Sequence, residues 1–212
     1  KLSYNNYNDI YAALNISQIL PKNTGTVIIK HANPCGVSIN KNKLLSFKSA
    51  LSCDPISAYG GIVSCNYKIS KNLALELVKV FFEVIIANDF DRDALKILKA
   101  KKNLRIINAK KFAFDKFFKI NSNNNSLLIQ SDDQKKFSKK DFKVVSKNKP
   151  TRSQFENLVF AFNICRFVKS NAIVIANNKS TLGIGSGQPS RLDSCQIAIE
   201  KMNKFNENQD EM

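Results

Sequence analysis

Short apolar runs alternating with amphipathic stretches are the feature that most narrows what this chain can fold into. Val27-Ile28-Ile29, Val84-Ile85-Ile86-Ala87 and Ile173-Val174-Ile175-Ala176 carry no polar residue. That is the pattern of strands buried on both faces. Between them, residues 9–20, 43–53, 70–80, 91–101, 151–168 and 190–201 read as helices. Ser70 and Thr151 stand where caps belong, and Phe155, Leu158, Val159, Phe162 and Val168 form one broad stripe. Strands are expected at 24–30, at 60–65 after a Gly-Gly turn, at 83–87, 104–108 and 172–176. The alternation predicts an α/β fold with the sheet between helix layers. Residues 112–125 turn polar and Asn-rich, as a linker or surface excursion does, and 203–212 read as a frayed tail.

Composition narrows the function classes. With 43% hydrophobic residues among 212, the chain can bury a core. Thirty-three Lys+Arg against 17 Asp+Glu give +16, which points to a nucleic acid, an anionic membrane or a charged small molecule. Codon bias produces the same excess, since nearly every base is Lys, Asn abounds and Trp is absent. The basic runs are short, separated and without aromatic platforms, so a solvated face is the better reading and nucleic acid the weaker partner. No apolar run approaches the ~18 residues of a membrane helix. Five scattered cysteines, with no Cys-x-x-Cys, support neither disulfides nor a zinc site, which suits a reducing cytoplasm.

Three segments put polar residues beyond strand ends, where open sheets bind ligands. In Lys30-His31-Ala32-Asn33-Pro34-Cys35-Gly36 the only histidine adjoins a lysine where a strand opens into a turn expected at Gly36. Imidazole suits proton removal, and an ammonium suits developing negative charge or a phosphate. A solvated or packed histidine is the commoner reading of such a residue in isolation. In Asp54-Pro55-Ile56-Ser57-Ala58-Tyr59-Gly60-Gly61 the glycines allow a backbone-lined pocket, or simply a loop. The third is Lys169-Ser170-Asn171-Ala172 with Gly183-Ile184-Gly185-Ser186-Gly187-Gln188-Pro189-Ser190-Arg191. Its glycines fit neither a Walker loop nor the dinucleotide fingerprint. A plain turn, or an anion cradle ahead of a helix, remains.

Together these segments are more specific than any one alone. With Leu2-Ser3-Tyr4-Asn5-Asn6, Ile62-Val63, Glu83-Val84-Ile85-Ile86-Ala87 and Ile173-Val174, the chain resembles the transformylase region of the bifunctional AICAR formyltransferase/IMP cyclohydrolase family, in order over about nine-tenths of its length. AICAR is 5-aminoimidazole-4-carboxamide ribonucleotide. The resemblance implies a cytidine-deaminase-like three-layer α/β/α fold, without zinc because the deaminase Cys-x-x-Cys is missing. It implies formyl transfer from 10-formyltetrahydrofolate to the 5-amino group of AICAR, in de novo purine (IMP) biosynthesis. His31 would be the general base and Lys30 would stabilise the oxyanion. Asn6, His31, Gly60, Glu83 and Asn171 would contact AICAR, with Arg191 and Leu192 towards the folate. A potassium ion and a cytoplasmic homodimer are family expectations too. Family members are longer, with a cyclohydrolase domain and a second deaminase-like half. The chain therefore reads as a first half over residues 1–201 with a tail at 202–212, weakly active or inactive alone, or as a non-catalytic remnant that binds the nucleotide. Asn125-Ser126 stands where the family commonly has Gly-Gly, and Ala87-Asn88-Asp89 where Ala-Pro is usual.

Overall fold

The structure, a computed structural model, describes all residues except 113–117, 132, 134, 136 and 207–212. The chain runs α1 (Tyr4–Ser17), β1 (Gly25–Lys30), β2 (Asn33–Ile39), α2 (Lys43–Ser52) and the short α3 (Pro55–Ala58). It continues through β3 (Gly61–Ile69), α4 (Lys71–Leu77), β4 (Phe82–Phe90), α5 (Arg92–Lys99) and β5 (Arg105–Asn108). Then come β6 (Phe118–Asn123), β7 (Ser126–Ser131), α6 (Arg152–Cys165), β8 (Ile173–Asn177), β9 (Ser180–Gly185) and α7 (Arg191–Asn206).

Seven strands form one sheet in the order β5-β4-β3-β1-β2-β9-β8. β3, β4 and β5 are parallel, and the other neighbours are antiparallel. The continuous apolar runs follow from burial on both faces. Val27, Ile29, Ile62, Val84 and Ile86 pack with Ile10, Ala13 and Leu14 of α1 and with Phe160 and Ile164 of α6. Their neighbours Ile28, Val63, Ile85 and Ala87 pack with Phe47 of α2, Leu73 and Leu77 of α4 and Leu98 of α5. The expected three-layer α/β/α arrangement is therefore present, and α7 lies against β9 and β8.

β2 and β9 share a single Cα pairing, Ser38 with Ser180. Hydroxyls extend it. The Val37 N–H donates to Thr181 Oγ1 at 2.9 Å, and the Ser38 and Ser180 hydroxyls lie 2.7 Å apart. These buried groups satisfy what a longer backbone ladder would otherwise satisfy.

Several expectations change. α1 begins at Tyr4 rather than residue 9, because Ser3 and Asn6 form a capping box. Gly36 makes no turn. It lies inside β2, an unanticipated strand, where a Cβ would sit 1.8 Å from the Ala50 carbonyl oxygen of α2. Part of the expected linker is the β6–β7 hairpin, and residues 113–117 of it lie outside the described ones. On α6 the core residues are Phe160 and Ile164, whereas Leu158 is 60% exposed. Apolar residues surround that helix, so periodicity alone misassigned its buried face; Phe155 and Phe162 pack instead with Phe142. α7 runs to Asn206, and the rest of the expected tail lies outside the described residues.

Gly36→Ala must push β2 and α2 apart and is expected to lower stability by about 3 kcal/mol, the upper part of the overpacking range. Gly187 has φ +69°, and a Cβ added there would meet nothing within 4 Å. It therefore separates sterics from conformation: Gly187→Ala should cost only about 1 kcal/mol. Urea midpoints at constant m-value measure both.

Candidate functional site

The registers bring the three polar segments to the same end of the strands. Lys30 pairs with Asn33, Ile29 with Ile62, Gly61 with Phe82, and Ile173 with Gly185. β1 and β9 arrive there by their carboxyl ends. The parallel strands β3, β4 and β5 arrive by their amino ends, the reverse of the usual ligand-binding end of parallel strands.

His31 and Ala32 form a two-residue turn between β1 and β2, with φ +52° and +58°. Tight hairpins of this kind favour Asn-Gly, because Cβ-bearing residues in the left-handed region cost about 1–2 kcal/mol each. Contacts from elsewhere hold the turn. The Ala32 N–H donates to the Asp9 carboxylate of α1 at 2.6 Å. The Asn33 amide donates to the His31 carbonyl at 3.3 Å, while its Oδ1 accepts the Lys169 N–H at 3.1 Å. His31 is exposed, and its imidazole has no hydrogen-bond partner among the described residues.

The ammonium of the preceding residue, Lys30, donates to the carbonyls of Gly60 at 2.8 Å and Tyr59 at 3.2 Å. An ammonium has three donors, so one is left for a further acceptor. Gly60 has φ +68°, and a Cβ there would lie 2.9 Å from Lys30 Nζ, so glycine answers both to backbone and to lysine. Its N–H donates to the Phe81 carbonyl at 2.7 Å. The Tyr59 and Phe81 rings pack at 5.3 Å. Both backbone groups of Gly60 are thus engaged within the chain.

Asn6 is buried, and both polar atoms of its amide are engaged. Oδ1 accepts the Ser3 N–H at 3.1 Å and Nδ2 donates to Glu83 Oε2 at 2.6 Å. It therefore aims Glu83, whose Oε1 has no partner among the described residues. Asn171 anchors the third segment, donating from Nδ2 to the carbonyls of Gln188 at 3.0 Å and Pro189 at 2.7 Å. Its carbonyl accepts the Ser194 hydroxyl at 2.8 Å. Arg191 and Leu192 open α7 behind the Ser190 cap, both exposed, Leu192 at 81%.

The glycines here do a different job from an anion cradle. Gly183 and Gly185 lie in β9, where a Cβ would meet the Ala198 and Ser194 carbonyl oxygens of α7 at 2.0 and 1.8 Å. They permit strand–helix contact, and only Gly187 belongs to the turn. A carboxylate then ties α7 to the Tyr59–Gly60 loop. Asp54 caps α3, accepting from the Ser57 N–H at 2.9 Å and the Ser57 hydroxyl at 2.7 Å, and pairs with Lys201 Nζ at 2.7 Å. Burial alone would raise the Asp54 carboxyl, but the hydrogen bonds from Lys201 and Ser57 outweigh it and hold it below the ordinary carboxylate value. Cys35 and Cys53, close by, are pushed up to about 12, chiefly by burial, so neither is a thiolate nucleophile at neutral pH.

Asp9 and the Asp54–Lys201 pair were not anticipated. Asp9 had a local signal, lying three residues from Asn6 and so on the same helical face. Lys201 had none, since only α7 docking brings it to Asp54.

The model of a family described as the AICARFT/IMPCHase bienzyme matches residues 1–201. The chain is 42% identical over 205 residues to the bifunctional purine biosynthesis protein PurH of Aquifex aeolicus, covering 97% of this chain and 40% of that protein. It is 43% identical over 206 residues to PurH of Leptospira biflexa, covering 96% and 40%. With PurH of Parvibaculum lavamentivorans the identity is 44% over 207 residues, covering 95% and 38%. The chain thus spans about 40% of the length of these relatives.

Removing the ammonium in Lys201→Met strands a buried carboxylate. The loss at pH 7 should be about 1–3 kcal/mol, below the figure for a fully buried pair because Lys201 is part-exposed. Since the Asp54 value is depressed on folding, its contribution is complete above the unfolded carboxylate range and disappears as pH falls through the folded value. Urea midpoints from pH 7 to 3 should therefore fall less steeply at the acid end in Lys201→Met than in the wild type.

Proposed function

The chain belongs to the AICARFT/IMPCHase bienzyme family, and from that premise we propose that its site serves formyl transfer from 10-formyltetrahydrofolate to the 5-amino group of AICAR, within purine biosynthesis. The unit carrying the site is the span 1–201, as the first deaminase-like half. The observation that supports this reading best is the Lys30–His31 strand end. An ammonium fixed by two carbonyls is followed in the chain by an exposed imidazole on a strained turn.

The chemistry asks for both of those groups. An aromatic amine is a weak nucleophile and must lose a proton as its nitrogen bonds to the formyl carbon. His31 takes that proton. The carbonyl oxygen becomes an oxyanion, and the remaining N–H of Lys30 donates to it. When the tetrahedral intermediate collapses, the bond from the formyl carbon to the folate nitrogen breaks, and that nitrogen can take up the proton held by His31. Glu83 Oε1, aimed by Asn6, accepts from N–H or O–H donors of the nucleotide. Asn171 shapes the wall formed by the third segment, keeping Oδ1 for the ligand. Arg191 offers a cation to the carboxylates of the folate, and the exposed Leu192 an apolar contact. The carbonyls that converge here, those of Tyr59 and Gly60, are taken by Lys30. No step of this transfer runs through an alkali cation.

Titration with AICAR should shift the ring resonances of His31, the only histidine in the chain. Adding 10-formyltetrahydrofolate and following tetrahydrofolate release then tests transfer. In an intact enzyme carrying this segment, His31→Ala should lower formyl transfer by at least ~10²-fold with AICAR binding retained. Wild-type turnover in that variant would remove the base assignment. An unresponsive His31, together with steeply salt-dependent binding to generic DNA, would favour a polyanion partner instead.

A further inference from the structure

We propose that Asp9 is a positioning residue for His31, an inference that rests on the formyl-transfer reading for its functional meaning. The carboxylate acts through the backbone. Its Oδ1 accepts the Ala32 N–H at 2.6 Å, a short, charge-assisted bond. Ala32 and His31 both have left-handed backbone, at φ +58° and +52°, without a glycine to make that conformation easy. A two-residue turn built from His-Ala needs an outside hold, and α1 supplies it. Asn33 is the other hold: its Nδ2 donates to the carbonyl of the same His31–Ala32 peptide at the longer distance of 3.3 Å, and its Oδ1 accepts the Lys169 N–H. Of these contacts, only Asp9 engages the Ala32 N–H.

The same helical face carries Asn6, three residues earlier, which holds Glu83. α1 therefore sets two elements of the site from one rigid element. Asn6 aims a carboxylate, and Asp9 fixes the turn that bears the imidazole. Because Asp9 binds the amide rather than the ring, it leaves both ring nitrogens of His31 free for substrate.

The test uses Asp9→Ala and Asp9→Asn in this chain, followed by ¹⁵N relaxation at residues 31 and 32 and by the ring resonances of His31. Asp9→Ala removes the acceptor, whereas Asp9→Asn keeps an acceptor oxygen in place. Expected in Asp9→Ala is an upfield shift of the Ala32 amide proton and a heteronuclear NOE at residues 31–32 well below that of the flanking strands. Peak dispersion elsewhere should be unchanged. AICAR affinity, read from the His31 ring, should fall about tenfold, and Asp9→Asn should restore both order and most of the affinity. An ordered turn in Asp9→Ala, or equal disorder in both variants, overturns the proposal. Should Asp9→Ala not fold, Asp9→Asn decides alone: an Ala32 amide that loses its downfield position there overturns it. A wild-type His31 ring that ignores AICAR would refute the formyl-transfer reading while leaving the backbone test to stand or fall by itself.

Discussion

Burial of the sheet on both faces is the constraint on which the rest depends. With α1 and α6 on one side and α2, α4 and α5 on the other, strand interiors have no room for groups that need water. Chemistry can only sit where the strands end. The end shared by Lys30, Gly60, Glu83 and the Lys169–Asn171 segment is such a place, and its residues are held there by contacts that cross between elements. Polar groups inside the layers mostly find partners, the buried Oδ1 atoms of Asn15 and Asn206 being exceptions among the described residues. Tyr67, 1% exposed, shares Thr26 with Ser46 and donates to the Lys43 carbonyl at 3.1 Å. Asn66 holds the Thr24 and Gly25 amides at the entry to β1, at 3.0 and 2.8 Å.

Glycine takes two distinct roles in this fold. At Gly60 and Gly187 it supplies positive φ. At Gly36, Gly183 and Gly185 it supplies proximity, letting a helix backbone approach a strand where any Cβ would collide. The second role brings α7 down onto β9, and α7 in turn delivers Lys201 to Asp54 and Arg191 to the shared end of the strands. Close packing and site assembly are thus one event in this part of the chain.

The strained turn at His31–Ala32 links stability with the proposed chemistry. An Asn-Gly turn would relieve the backbone but would remove the imidazole, and a looser loop would leave the ring without a fixed origin. Asp9 offsets the strain from outside, so the ring itself need not anchor the turn. Lys30 shows the complementary arrangement, with its ammonium pinned by two carbonyls and one donor left over.

The layered α/β class, most helices and the strands around Val27, Val84 and Ile173 were legible in the sequence, because local propensity and burial point the same way there. So was the placement of the three polar segments beyond strand ends, since unusual residues cluster after apolar runs. Hidden were β2, whose Pro34 and Gly36 read as a turn, and the true core face of α6, where apolar residues occur all round. The glycines of β9 were equally opaque, because close approach and flexibility leave the same letter in a sequence. The family resemblance singled out Asn6, but its capping and its grip on Glu83 were not visible in the sequence. Lys201 with Asp54 and Asp9 with Ala32 span 147 and 23 positions. Residue identities and local periodicity determined which elements form and which side chains could do chemistry. Tertiary structure alone decided which of them meet, because pairing register and helix docking are set by contacts between residues far apart in the chain.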